Sequence, residues 1–220
     1  GRGTFALGTD PGGKVTVLVT DADSAVEAVF PLEGKTLPRE HAQALLDALV
    51  VSMPWLQDDA GAGIHPLKLV SGTESMALLS GRTRLILRVK ANRLDKLRAS
   101  EGAQLDVAGH PLRLGAVHLR ALQPLATLYA YRVAAIAGDE SAFMQAMEAE
   151  LAALGVAGER VCGKRQMVRV NQHDMVTFSM MLHGLGPDQS LRLQQHGLGP
   201  HRLLGCGLFV PHKSAAAVGS

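Results

Sequence analysis

Between residues 25 and 122 the chain runs through strand, helix, strand, strand, helix and strand signals, and after residue 126 it runs through the same six again. Few architectures accept that order twice. In the first pass "AVEAVFPL" (25–32) reads as a strand. From about Pro38 to Met53 the residues Ala42, Leu45, Leu46, Leu49, Val50 and Met53 recur at spacings of three and four, an apolar helical stripe that must face a sheet. A short strand near "IHPLKLV" (64–70), a strand "RTRLILRVK" (82–90), a short helix "NRLDKLRA" (92–99) and a closing hairpin through "LRLGAVHLRAL" (112–122) complete the first pass. The second consists of a strand at 127–136, a helix from Glu140 to Leu154 with Phe143, Met147, Leu151 and Leu154 on one face, and strands at 164–171 and 175–183 joined by "NQHD". A helix with Pro187 in its first turn and Gly197 past its end precedes the last strand, "GLFVP" (207–211). Two βαββαβ units in tandem define an α+β fold of two ferredoxin-like (RRM-like) domains. The expected layout is an N-terminal extension at 1–24, domains at 25–122 and 123–212, and a tail at 213–220.

Composition narrows what such a chain does. With 47% hydrophobic and only 4% aromatic residues, the core must come from Leu, Val, Ala and Met, and base stacking has few platforms. A net charge of +2 is too mild to define an anionic partner, yet residues 82–98 hold seven Lys or Arg against one acid, Asp95. Cys162 and Cys206 are too few and too far apart for a disulfide scaffold, which fits a reducing cytoplasm. The longest early apolar run, "VTVLV" (15–19), is too short for a membrane span or a signal core, so no membrane association is expected. His196, His201, Cys206 and His212 match no established zinc spacing, and neither a metal nor a cofactor is expected.

The segment "GLGPHRLLGCG" (197–207) places four glycines, Gly197, Gly199, Gly205 and Gly207, around His201 and Arg202. A dinucleotide fingerprint requires a strand before the loop and a helix after it, and here that order is reversed. The phosphate loop of NTPases requires G-x-x-x-x-G-K, whereas Cys206 follows Gly205. Two readings stay open: a backbone-amide cradle for a polynucleotide phosphate, or a tight helix-to-strand connection in which glycine permits positive φ.

The segment "GLGPHRLLGCGLFVP" resembles the C-terminal glycine-rich loop of the CRISPR-associated repeat-cleaving endoribonucleases, the Cas-six family. "FPLEGKTLPREHAQALLDAL", "GIHPL", "SLRLQQHGLG" and "GCGLFVP" look most like the myxococcal (MYXAN) subtype, and the resemblance spans about residues 25–212. It implies tandem ferredoxin-like domains, with the RNA backbone approaching the glycine loop. It also implies cleavage of precursor CRISPR RNA within its repeats by metal-independent attack of a ribose 2′-OH, leaving a cyclic phosphate. The implied partners are repeat RNA, as precursor and mature guide, and the other subunits of a multi-subunit type I interference complex. A non-cleaving repeat-RNA-binding subunit is the alternative.

Such chemistry needs a base for the 2′-OH, an acid for the 5′ oxygen and positive charge for the phosphorane, and a histidine serves as the base only if neutral. The family's catalytic histidine often lies in the first helix, which points to His41, where the positive end of the helix disfavours imidazolium. His65 in "GIHP" is the second catalytic candidate, or else a loop residue beside Pro66. Family members commonly carry a tyrosine near this histidine and "HAQALL" has none, which leaves the partner of His41 open. For RNA binding, strand alternation puts Arg84, Arg88 and Lys90 on one face, either tracking phosphates or simply solvated. Lys164, Arg165 and Arg169 edge a hairpin, and Gln189, Arg192 and His196 follow one side of the helix before the glycine loop, whose His201 and Arg202 complete the expected RNA-binding set.

Overall fold

Strand β1, Ala25–Glu33, is the axis of the first unit, and its residues from Val26 to Phe30 are all buried. An almost unbroken buried strand means that both faces of its sheet are covered. The computed structural model describes residues 6–9, 15–18, 21–136 and 139–212. Helix α1, Ala42–Ser52, follows β1, and after it come β2 (Gly63–Ile64), β3 (Arg84–Lys90), α2 (Leu94–Arg98), a hairpin of β4 (Gln104–Val107) and β5 (His110–Leu114), and β6 (His118–Ala121). The order β6–β1–β3–β2, antiparallel at every pair, is that of a ferredoxin-like sheet, and the β4–β5 hairpin continues it beyond the end of β1. Phe30, Leu45, Leu49, Met53, Leu85 and Leu87 form the centre of its core.

The second unit repeats the plan: β7 (Leu128–Ala134), α3 (Glu140–Ala153), β8 (Glu159–Val170), β9 (His173–His183), α4 (Pro187–His196) and β10 (Phe209–Pro211), ordered β8–β9–β7–β10. Phe143, Met147 and Leu151 of α3 pack on Val133, Phe178 and Met180, and the rings of Phe143 and Phe178 lie 4.8 Å apart. The connector between the units is tied down. The backbone carbonyls of Gln123, Leu125 and Ala126 accept from Gln194 Nε2 (2.8 Å), Ser190 Oγ (2.7 Å) and Leu185 N (3.1 Å) respectively.

The structure departs from the sequence expectations at particular places. The first helix begins at Ala42, because Pro38 ends a short strand, Thr36–Pro38, paired with Met76–Leu78. The strand expected over 64–70 stops at Ile64, since Pro66 has no N–H for the ladder. The closing hairpin expected at 112–122 is two separate pairings. Residues His110–Leu114 fold back on Gln104–Val107 through Ala108 and Gly109, both at positive φ, and His118–Ala121 crosses to β1. The strands of the second unit's hairpin run longer than expected, and its turn is the pair Asn171 and Gln172, at φ 46° and 68°. The extension at 1–24 holds a small hairpin, Ala6–Thr9 against Val15–Leu18, and the tail at 213–220 lies outside the described residues. Among the described residues, no helix is long and apolar enough to cross a membrane.

Candidate active site at the junction of the two units

The glycine-rich turn leaves the C-terminus of α4 and is wedged against the first unit. Gly197 ends the helix at φ 66°, and Gly205 and Gly207 follow at 81° and 69°. These are left-handed conformations in which a β-carbon is strained. A β-carbon on Gly207 would overlap the carbonyl of Leu198, and one on Gly197 would overlap the carbonyl of Gly207. One on Gly205 would lie 3.0 Å from Pro66 Cγ, in the "GIHP" segment of the first unit. The glycine amides are all engaged: Gly197 N donates to Leu193 O, Gly199 N to Glu150 Oε2, Gly205 N to Arg202 O and Gly207 N to Arg132 O, at 2.8–3.1 Å. The expected amide cradle is therefore corrected. At Gly197, Gly205 and Gly207 what comes close is the protein itself, so these three serve the packing of the turn, while a β-carbon on Gly199 would meet only ordinary contacts at 3.4 Å or more.

Arg202 is corrected likewise. Its guanidinium turns inward, donating to His196 O (2.6 Å) and Gln195 O (3.2 Å) at the end of α4 and across the junction to Gly61 O (3.0 Å). Burial first, then the charge of Arg88, lowers its pKa to about 10. His201, by contrast, is exposed, and it borders an open cleft of about 470 Å³ with Ile136, Asn171 and His173.

Arg88, expected on a phosphate-tracking face, is fully buried at 0% exposure. Its Nη2 donates to Glu27 Oε1 at 2.8 Å, and its Nη1 donates to Phe209 O (2.7 Å) and Gln194 O (3.0 Å) of the second unit. The face it occupies points into the junction. Arg120 Nε binds the other Glu27 oxygen at 2.9 Å. His65 lies in the same buried group, with Nε2 3.4 Å from Glu27 Oε1. Desolvation, followed by the positive charge of Arg88, drives the His65 pKa down to about 3, so it is neutral at physiological pH. Burial alone would raise the pKa of Glu27, yet its cationic surroundings hold it below the usual carboxylate value. With His65 uncharged, the two guanidiniums do this at neutral pH. His65 is only 8% exposed, and this placement takes it out of reach of a substrate.

His41 occupies a different position, half-buried at the residue flanking the start of α1. Its Nδ1 lies 2.8 Å from Pro38 O. A carbonyl oxygen only accepts, so Nδ1 carries the proton and Nε2 keeps its lone pair. Burial lowers the His41 pKa, and the charge of Arg132, on β7 of the second unit, adds to the effect. The junction thus holds a neutral imidazole whose basic nitrogen has no hydrogen-bond partner among the described residues.

Arg132 had no signal in the sequence, where "TLYAYRVAAI" reads only as a strand. In the structure the pairing of β7 with β9 jumps from Ala130↔Met180 to Val133↔Phe178, so Tyr131 and Arg132 form a bulge opposite Ser179. Bulges re-aim side chains.

The remaining expected RNA contacts are scattered. Arg84 donates to its own turn at Gly81 O and Thr83 O, and exposed Lys90 sits 3.7 Å from Asp23. Gln189 caps α4 by accepting from Gly186 N, and Arg192 donates to Leu154 O (2.9 Å). Lys164, Arg165 and Arg169 stand exposed along β8, Arg169 being 3.7 Å from Asp174, and His196 is exposed at the end of α4. Among the described residues, no three His, Cys, Asp or Glu side chains gather as a metal site.

Fold and site define a two-unit ferredoxin-like protein with a basic histidine nitrogen at its junction. A family model described as Cas6 Crispr matches residues 26–214, and the CRISPR-associated endonuclease Cas6 of Myxococcus xanthus (strain DK1622) is 39% identical over 196 residues, 89% of this chain and 85% of that one. The chain belongs to the Cas6 family. Among solved structures, a CRISPR associated protein Cas6 matches with a TM-score of 0.64 at 10% identity, over 86% of this chain and 100% of that one. A Cas6-related protein from Pyrococcus furiosus gives 0.60 at 10% identity (84% and 98%), and a RAMP protein described as binding different RNA substrates gives 0.58 at 12% identity (84% and 98%). At such identities the structural likeness speaks to the fold alone.

Proposed function

We propose that this protein is an endoribonuclease that cleaves precursor CRISPR RNA within its repeats to give mature guide RNAs. The observation that carries the reading is the fixed tautomer of His41, with Nδ1–H on Pro38 O and Nε2 open as a base. His41 Nε2 takes the proton of the ribose 2′-OH as that oxygen attacks the adjacent phosphorus. The bond from phosphorus to the 5′ oxygen breaks, the leaving oxygen takes up a proton, and the products are a 2′,3′-cyclic phosphate and a 5′-OH. The nucleophile belongs to the substrate, so the reaction needs no metal-bound hydroxide. The exposed cations Lys164, Arg165 and Arg169, with His196 and His201 nearer the junction, hold the RNA backbone. The product stays bound and passes to the other subunits of a type I interference complex.

The test is single-turnover cleavage of a repeat transcript. His41→Ala should lose cleavage by about 10²- to 10⁴-fold and keep its RNA affinity. EDTA should leave the rate unchanged, and a single 2′-deoxy nucleotide at the cut should block it. Near-normal cleavage by His41→Ala removes the base from the mechanism. Tight binding without cleavage by the unmodified chain points instead to a repeat-holding subunit.

A further inference from the structure

We infer that Arg132 is a catalytic residue, its guanidinium binding the non-bridging oxygens of the scissile phosphate and stabilising the pentacoordinate phosphorus as the 2′ oxygen attacks. This rests on the proposed RNA-cleaving reaction at His41 and names a second group for it, from the other unit of the fold.

Three observations carry the assignment. The first is position. Arg132 sits in the β7 bulge, and its carbonyl accepts from Gly207 N at 2.8 Å, which fixes its backbone to the glycine-rich turn. The same turn, through Arg202–Leu204, packs against α1, the helix that His41 begins. The helix that follows His41 and the backbone of Arg132 therefore both meet one short segment.

The second is the absence of a counter-charge. Among the described residues, every other arginine drawn into the structure has a partner: Arg88 and Arg120 on Glu27, Arg93 on Asp59, Arg160 on Glu148 and Arg202 on backbone carbonyls. Among the described residues the Arg132 side chain has no hydrogen bond or ion pair; its Nε, like those of Arg88 and Arg202, is buried without a partner, and the Tyr131 ring lies 5.2 Å away. A guanidinium whose Nε is buried with no acceptor among the described residues is left available to an incoming anion.

The third is chemical fit. The attacked phosphate gains negative charge on its non-bridging oxygens, and a planar guanidinium matches two of them at once. Arg132 also bears on the base. Its charge, after burial, works with the environment of His41 against protonation, partly opposed by Glu40 and by the carbonyls of Pro38 and Arg39. One cation thus binds the electrophile and helps keep the neighbouring imidazole unprotonated.

The experiment compares Arg132→Ala, Arg132→Gln and Arg132→Lys with the unmodified protein on a repeat transcript. Removing a donor to a developing oxyanion lowers rates by roughly 10²- to 10³-fold. The Ala and Gln variants should show that loss, with affinity for the uncleavable 2′-deoxy RNA changed by less than about tenfold. Lys, or methylguanidinium added to the Ala variant, should restore part of the rate. The Arg132 Nε–H resonance, observed by NMR, should shift when the 2′-deoxy RNA binds, and the His41 titration should move up in Arg132→Gln. Rates within threefold of the unmodified protein, or affinity falling as far as rate, overturn the catalytic role. The NMR readouts need no cleavage, so they test Arg132 even if His41→Ala remains active or the chain only binds RNA. A resonance unmoved by RNA overturns the assignment in that case too.

Discussion

Arg88 and Arg202 cross the junction in opposite directions, each donating to backbone carbonyls of the other unit: Arg88 to Gln194 and Phe209, Arg202 to Gly61. Two arginines that sequence patterning assigns to RNA are structural ties. Arg88→Ala leaves Glu27 buried with Arg120 alone and strips two carbonyls of their donor. A loss of about 3–5 kcal/mol is expected from such a one-sided deletion, measured as the shift in urea unfolding.

The acid side of stability should follow His65. Its folded pKa of about 3 lies below the ordinary 6.5, so the unfolded chain binds a proton that the folded one refuses between those values. Stability is therefore lost as pH falls from 6.5 toward 3, with a slope of up to about 1.4 kcal/mol per pH unit from this residue. The lowered pKa values of His41 and, further down, of Glu27 act in the same direction. Unfolding curves measured from pH 6.5 to 5 should be less pH-dependent for His65→Gln than for the parent.

Cleavage should respond to pH through His41. Because its pKa is lowered, the imidazole remains neutral at pH values where an ordinary histidine is half protonated. The acidic limb of the single-turnover rate should fall below the ordinary histidine value. A limb at or above 6.5 contradicts the assigned base.

Glycine substitutions should separate packing from mere flexibility. Gly207→Ala puts a methyl group into the Leu198 carbonyl at positive φ and should destabilise by at least about 2 kcal/mol, whereas Gly81, with nothing within 4 Å of a β-carbon, should accept alanine with little change. Melting temperatures of the two variants report the difference.

RNA affinity should depend on salt through the exposed cations of β8. Alanine at Lys164, Arg165 or Arg169 should lower the slope of log affinity against log salt by about one phosphate contact each. Unchanged slopes in all three remove them from the interface.

The element order and the tandem ferredoxin-like architecture are legible in the sequence because period-2 and period-3.6 patterns are local. What alternation cannot reveal is which face meets a second layer. Arg88 occupies the alternation position that would be solvated in a lone unit, and the second unit covers it. The glycine run carries a similar ambiguity, since close approach by RNA and close approach by Pro66 or Leu198 demand the same missing β-carbon. His41 is visible through its place at the helix start and the family resemblance. Arg132 is not, because its role depends on a bulge in pairing with residues some fifty positions away, and nothing in "YAYRVA" marks it.

The pinned connector has a mechanical consequence. Hydrogen bonds from Gln194, Ser190 and Leu185 hold three successive parts of the chain between the units, while Arg88 and Arg202 bolt the units on either side. Ties of this kind oppose a jaw-like opening of the two units around a ligand. The strain of bringing a 2′ oxygen, phosphorus and 5′ oxygen into line then falls on the nucleic acid, and repeats that kink readily at the cut should turn over faster than equally tight but stiffer ones.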